Sequence, residues 1–167
     1  LPMSLLNVQD LTLTLYGASI LKQLNFTLEP GEILALTGES GSGKSMTALS
    51  LLQLLPDAAG LSGNITLDGT NLLRLTEPQL CAQRGGRMGM VFQEPMSALN
   101  PVQTIGAQVA EALRLDPKTS AAAAQNRAGA ILGRVGLAPE HVPPSRSPHE
   151  LAGGQRPRVV IALAIAR

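Results

Sequence analysis

The chain opens with two stretches in which apolar residues fall on every second position. Leu11, Leu13 and Leu15 alternate with threonines, and Leu24, Phe26 and Leu28 alternate with polar residues. A period of two puts one face of a strand against a core and the other in water, so both segments predict half-buried strands of an antiparallel sheet. Pro30-Gly31 marks a turn, and Glu32 to Thr37 (EILALT) is a short apolar run of the kind a buried parallel strand carries. MTALSLLQLL reads as a helix. Gly63 to Leu67 predicts a further strand, leading into a tight turn at Asp68-Gly69. Glu77-Pro78 predicts the start of a short helix, with proline near its first position. Arg87 to Phe92 (RMGMVF) is a second candidate core strand.

After Phe92 the texture changes. Asn100 to Leu115, the Ala-rich run 121–133 and the final RVVIALAIA favour helix, separated by Pro-rich connectors such as HVPPSRSPHE. The AAAA at 121–124 reads as a helix surface or connector, and no internal repeat is visible. The pattern predicts a sheet-containing part over 1–95, a helical part over 96–150, and a last segment, 151–167, that opens a further helix.

Composition narrows this picture. The 167 residues have the length of one ordinary domain. There is no Trp, one Tyr and two Phe, so Leu and Ala must supply most of the core. A net charge of +1 does not suggest a polyanion-binding surface. Cys81 is the single cysteine, which rules out an internal disulfide and fits a reducing compartment. No apolar run approaches the ~20 residues needed to span a bilayer, and the N-terminus lacks the order of a signal peptide. Membrane contact is expected to be peripheral, through a partner.

The candidate chemistry begins between the EILALT run and the next helix. GESGSGKS, Gly38 to Ser45, fits G-x-x-x-x-G-K-[ST] at every fixed position. Gly38, Gly41 and Gly43 let the chain curl with its N–H groups inward, and the following helix adds free N–H groups and the positive end of its dipole. Lys44 is expected to reach the β- and γ-phosphates, and the Ser45 hydroxyl to ligate magnesium. Such a loop holds a nucleotide phosphate without saying which machine holds it.

Three other segments narrow the choice. VFQEP sets Gln93 just beyond a candidate core strand, where it is either a ligand-handling group able to reach magnesium and water or a polar strand-end residue. LAGGQ, 151–155, is either a second anion site at a helix N-terminus or simply a helix start. Tyr16, before Gly17, is either a packing residue or a platform for base stacking.

Taken together, GESGSGKS, then Gln93 about fifty residues on, then LAGGQR about sixty after that, resemble the nucleotide-binding subunit of an ABC transporter. MGMVFQEPMSALNP, Met88 to Pro101, and the SPHEL lead-in at 147–151 are similar to the ATPases of the dipeptide, oligopeptide and nickel importers. The resemblance covers the whole chain, as the first two thirds of such a domain. It implies an α/β P-loop NTPase core with an antiparallel β subdomain and an α-helical subdomain, C-terminally truncated. On that reading 1–95 is the nucleotide-binding core, 96–150 the helical subdomain, and 151–167 the signature motif with the start of its helix.

The resemblance also implies roles. Tyr16 would stack on adenine, and Gly38, Glu39, Ser40, Gly41, Ser42, Gly43, Lys44, Ser45 and Met46 would hold ATP, with Lys44 and Gln93 in the catalytic set and Ser45 and Gln93 on Mg2+. Ala152, Gly153, Gly154 and Gln155 would close on the ATP of an opposite protomer. The implied partners are a second ABC ATPase subunit, identical or paralogous, the transmembrane permease subunits and, indirectly, a solute-binding protein, with no nucleic acid. The implied place is the cytoplasmic face of the cell membrane, with uptake of peptides or a related solute such as nickel as the work.

Two departures stand out. Ala152 occupies a position where the family usually has Ser, whose hydroxyl donates to the γ-phosphate. Pro157 stands where the family has a helix-compatible residue. If the helix caps at Gly154, the proline lies in the first turn at little cost, and if it caps at Ala152 a backbone hydrogen bond is lost. The family's apolar strand ending in Asp-Glu, and its later switch His, are not found after Gln93. Glu111, Glu140 and Glu150 follow helical or Pro-rich context, and His141 and His149 precede the signature. The chain ends at Ala-Ile-Ala-Arg, which reads as a truncation, so the 167 residues alone are expected to show little or no hydrolysis. The alternative is a nucleotide-binding module without catalysis, an inactive fragment or a decayed ABC ATPase. A small-molecule kinase would account for Gly38–Ser45 but leave Gln93 and LAGGQ unexplained. ABC ATPases acting on DNA or ribosomes are disfavoured by VFQEPMSALNP and the near-neutral charge.

Overall fold

The structure, a computed structural model, describes residues 4–93 and 98–166. The chain divides into two compact units, one closing at Ala82 and the other opening at Gln83.

The first unit is built on a four-stranded antiparallel sheet: β1 (Leu6–Leu15), β2 (Ala18–Leu28), β3 (Ala59–Leu67) and the two-residue β4 (Thr70–Asn71), in the order β2-β1-β3-β4. Leu15 pairs with Ala18, leaving Tyr16-Gly17 as a two-residue hairpin loop with φ of 49° and 79°. Positive φ at both central positions gives the turn whose twist matches that of the flanking strands.

The apolar rhythm of β1 breaks between Val8 and Leu11, yet both are buried together with Leu13. A bulge reconciles them. Gln9 pairs with Asn64 and Thr12 with Ser62, so Asp10 and Leu11 together face Gly63. The extra residue restores the inward face that a three-residue step would otherwise reverse. Asp10 and Gly63 absorb the bend with φ of 49° and 109°.

Helix α1 (Lys44–Leu52) follows the Gly-rich loop and ends on Gln53 in the left-handed region, whose N–H returns to the Leu49 and Ser50 carbonyls. The Gln53 amide also donates to the Leu72 carbonyl at 2.6 Å, fastening the helix end to the 3-10 turn Leu72–Arg74 after β4. Helix α2 (Glu77–Gly86) runs across the division between the units.

The second unit is helical: α3 (Ile105–Arg114), α4 (Ala121–Arg134) and α5 (Gln155–Ala164). Ile105, Val109, Leu113, Ala124, Leu132, Leu137 and Val159 form its core. Burying a Leu or Val side chain is worth about 1.5–3 kcal/mol, and small Ala124 and Ala128 let α4 approach its neighbours without large aromatics. Ser120 caps α4 by accepting the Ala123 N–H at 3.2 Å. Within AAAA, 121–123 are exposed and Ala124 is buried, so this tract is the surface of a helix with one packed position.

The Pro-rich connector is structured rather than loose. Its Arg146 and Pro144 carbonyls accept the Ile105 and Gly106 N–H groups at 2.8 and 2.9 Å, while Thr104 accepts that of Ala107. The first three donors of α3 are thereby satisfied, as a helix start requires.

The structure corrects three expectations. Glu32–Thr37 is not a strand, and its residues are exposed, Ile33 at 94%. Arg87–Phe92 is not a strand either, with Phe92 exposed at 52%. An apolar run becomes a strand only when a neighbour completes its hydrogen-bond ladder. Among the described residues the ladders all belong to the antiparallel sheet. The helix expected from Asn100 begins only at Ile105. The buried Gln108 amide accepts from Asn100 N at 2.9 Å and donates to the Asn100 and Gln103 carbonyls at 3.0 and 3.1 Å, holding 100–103 as a loop.

Candidate functional site

The Gly-rich loop, 38–43, is turned by three glycines with φ of 155°, 81° and 91° at Gly38, Gly41 and Gly43. Two of them are also closely packed. A Cβ on Gly38 would meet Ser42 Oγ at 2.6 Å, and one on Gly43 would meet Leu21 Cδ2 at 2.7 Å. Gly43 thus seats the loop on β2, with the positive φ and the contact acting together to exclude a side chain. It is also the N-cap of α1 and brings no side-chain cap. The first N–H groups of the helix therefore point out at its positive end.

Lys44 folds back across the loop. Its ammonium donates to the Gly38 and Glu39 carbonyls at 2.9 and 2.7 Å and to Ser42 Oγ at 3.2 Å. The cation is held over the mouth of the curl by weakly basic carbonyls, which phosphate oxygens outcompete as acceptors. Ser42 N bonds to the Glu39 carbonyl and closes the turn. Ser45 is exposed and Met46 half-buried, while Glu39, Ser40 and Gly41 are exposed. Behind them Thr47 Oγ1 donates to the Gly43 carbonyl at 3.0 Å and is buried, so the helix start is packed beneath an open surface. An uncapped helix end, a cation and an exposed hydroxyl form a donor set that fits a polyphosphate.

LAGGQ opens α5 in the second unit. Leu151 is buried in the helical core, and Ala152, Gly153 and Gly154 are exposed. The Gln155 side chain reaches back to accept the Ala152 N–H at 2.9 Å, and the Gln155 N–H bonds to the Ala152 carbonyl, also at 2.9 Å. The helix caps at Gly154, which answers the question left open by Pro157. The proline is the third helical residue, where its missing N–H has no partner inside the helix to lose.

Gln93 is exposed, in a bend rather than beyond a strand. Glu94 and Pro95 of the VFQEP motif, with Met96 and Ser97, lie outside the described residues. Tyr16 sits at the hairpin tip, exposed at 80%. The structure brings Gly38–Met46 together in one loop and the first turn of α1, and Ala152–Gln155 in another loop and the start of α5. Gln93 and LAGGQ belong to the unit that does not hold the Gly-rich loop. Among the described residues no group of three or more His, Cys, Asp or Glu could hold a metal ion, and no helix is long and apolar enough to cross a membrane.

Sequence reasoning missed one participant. Arg156 donates from Nε to the Pro148 carbonyl at 3.0 Å and from Nη2 to the His149 carbonyl at 3.4 Å. Its place immediately after the motif was the available signal, but nothing in the local pattern specifies a turn to hold.

Comparison with known proteins agrees with these loops. The family model described as ABC transporter matches residues 21–167. The chain is 44% identical over 167 residues to the oligopeptide transport ATP-binding protein OppD of Mycobacterium tuberculosis, covering 97% of this chain and 27% of that one. It thus spans about a quarter of that relative's length. Among solved structures, cbiO1 from Clostridium perfringens, part of the ABC transporter complex cbiONQ, superposes with a TM-score of 0.81 at 27% identity, covering 98% of this chain and 61% of that one. The dimeric ATP-binding cassette MJ0796 in a post-hydrolysis state with ADP and Pi gives 0.78 at 27%, covering 96% and 69%. With a family match over residues 21–167, an antiparallel sheet, a glycine-turned loop at 38–43 and a helical unit bearing LAGGQ, the chain belongs to the ABC transporter family.

Proposed function

We propose that this chain is part of the ATP-binding component of an ABC importer for peptides or a related solute. The observation that carries the reading is the loop itself: three glycines in the left-handed region, an uncapped α1 start and Lys44 poised across the mouth. The triphosphate of ATP lies along Gly38–Ser45, with Lys44 leaving its loop carbonyls for the β- and γ-phosphates and Met46 extending the helix-start contacts. Tyr16, exposed on a two-residue hairpin loop, offers its ring to adenine. Magnesium would accompany the phosphates, with the Ser45 hydroxyl as a protein ligand, since hard oxygen donors suit it.

Ala152, Gly153, Gly154 and Gln155 meet the ATP of a second ATPase subunit, identical or paralogous. The dimeric arrangement of the related MJ0796 cassette supports this. ATP shared between two protomers favours the closed state by its differential affinity, and hydrolysis removes that bias. The helical unit faces the permease. It offers a shallow cleft of about 380 Å³ lined by Asn100, Gln108, Glu111, Leu115 and Leu163, with exposed Val102 in the adjoining loop. On this reading the protein sits peripherally on the cytoplasmic face of the membrane, and the OppD relative supports a peptide as solute.

The test is ATP-driven uptake. The full-length protein, its permease and its solute-binding protein in sealed vesicles are expected to accumulate oligopeptide on addition of ATP and magnesium, and the Lys44→Ala variant is not. Uptake that proceeds equally without ATP, or equally with Lys44→Ala, contradicts the proposal.

A further inference from the structure

We propose that Arg156 is a positioning residue for the LAGGQ loop, acting through the turn that precedes it. The inference rests on the proposed role of LAGGQ in closing on a partner's ATP. The loop has no ladder or core of its own, because Ala152, Gly153 and Gly154 are all exposed. Two glycines with open space around their Cβ positions would leave it free to sample many conformations. Its geometry must therefore come from its two ends.

The downstream end is held by the Gln155 side chain on Ala152 N. The upstream end is the 3-10 turn Pro148–Glu150, whose Glu150 carboxylate accepts the Ser147 N–H at 2.6 Å in a capping box. Leu151 then dips into the helical core. Arg156 ties the two ends together. It sits in the first turn of α5, and its planar guanidinium donates to the successive carbonyls of Pro148 and His149. These carbonyls belong to the short turn before LAGGQ, so the five-residue motif is bracketed by one half-buried side chain. A forked donor fixes direction as well as distance, which an ammonium on a flexible stem does not. The same connector reaches back to α3 through the Arg146 and Pro144 carbonyls. Arg156 therefore also joins the LAGGQ loop to the N-terminus of α3.

If Arg156 fixes the loop, its loss raises the cost of closure without touching ATP capture by Gly38–Ser45. The full-length protein is titrated with ATP as separated protomers, and ATP-dependent dimerisation is then followed by light scattering. Arg156→Ala is expected to keep its protomer affinity for ATP within about twofold, while the protein concentration for half-maximal dimerisation rises about tenfold, the size expected when hydrogen bonds from a charged group are removed. Arg156→Lys retains charge and stem but not the fork, and an intermediate rise of about threefold is expected. Loss of a purely stabilising residue would lower the melting temperature and leave the half-maximal concentration, counted per folded protomer, unchanged. If Arg156→Ala does not fold, Arg156→Lys decides on the same readout. Unaltered dimerisation in the folded variant overturns the inference. Wild-type protein that binds ATP but never dimerises with it overturns instead the reading of LAGGQ on which the inference stands.

Discussion

Gly106 donates its backbone N–H to the Pro144 carbonyl at 2.9 Å, and a Cβ on Gly106 would lie 2.6 Å from Pro144 Cβ. Helix α3 and the Pro-rich connector meet here with no room for a methyl group. In an unconstrained helix, Gly→Ala gains about 1 kcal/mol from propensity. Here overpacking reverses the sign, and Gly106→Ala is expected to destabilise the protein by about 1–3 kcal/mol. Urea denaturation of the two proteins measures the difference.

Gly63 presents a stricter case in the sheet. Its φ of 109° answers the β1 bulge, and a Cβ would meet the Asp10 and Gln9 carbonyl oxygens at 2.6 and 2.7 Å. The atoms that would have to move are backbone on the neighbouring strand. Gly63→Ala is expected to cost about 1–3 kcal/mol from strained φ alone, with the clash adding to it. Gly17→Ala, where φ is 79° but the space is open, is expected to cost less. The order of the two melting temperatures checks this.

Pro157 gives the opposite expectation. Because α5 caps at Gly154, the proline lies at the third helical residue. Pro157→Gln is expected to change stability by less than about 1 kcal/mol. A gain near ~3 kcal/mol would mean that the helix begins earlier and that the proline interrupts it. Thermal or urea unfolding separates the two outcomes.

Ala152→Ser restores a hydroxyl in the exposed part of LAGGQ. A hydrogen bond to a charged phosphate is worth about 1.5–3 kcal/mol, so ATP-dependent dimerisation of the full-length variant is expected to tighten by about tenfold or more. Sedimentation with and without ATP reads this directly, and dimerisation as tight in the unaltered protein would show that the two glycine amides suffice.

Much of this molecule was legible in its sequence where the physics is local. Alternating apolar residues announced β1 and β2, Asp68-Gly69 announced the turn between β3 and β4, and MTALSLLQLL announced a helix, which the structure begins two residues earlier, at Lys44, and ends at Leu52. Two of the failures share one cause. Glu32–Thr37 and Arg87–Phe92 carry the apolar pattern of buried strands, but a strand also needs a ladder partner, which the segment's own residues cannot reveal. The β1 bulge, the Gly106–Pro144 contact and the grip of Arg156 on the 148–150 turn are likewise settled by neighbours distant in the chain or by side-chain direction. The individual motif residues were nameable from sequence. How their loops are held in shape was not.

The central claim is that Gly38–Ser45 binds the triphosphate of ATP, with Lys44 exchanging its loop carbonyls for phosphate oxygens. Calorimetric titration of magnesium-ATP into the full-length protein tests it most directly. One saturable site per chain is expected, weakened at least about tenfold in Lys44→Ala, as the loss of a charge-assisted contact requires. A folded wild-type protein with no saturable ATP binding, or equal affinity in Lys44→Ala, would contradict the account.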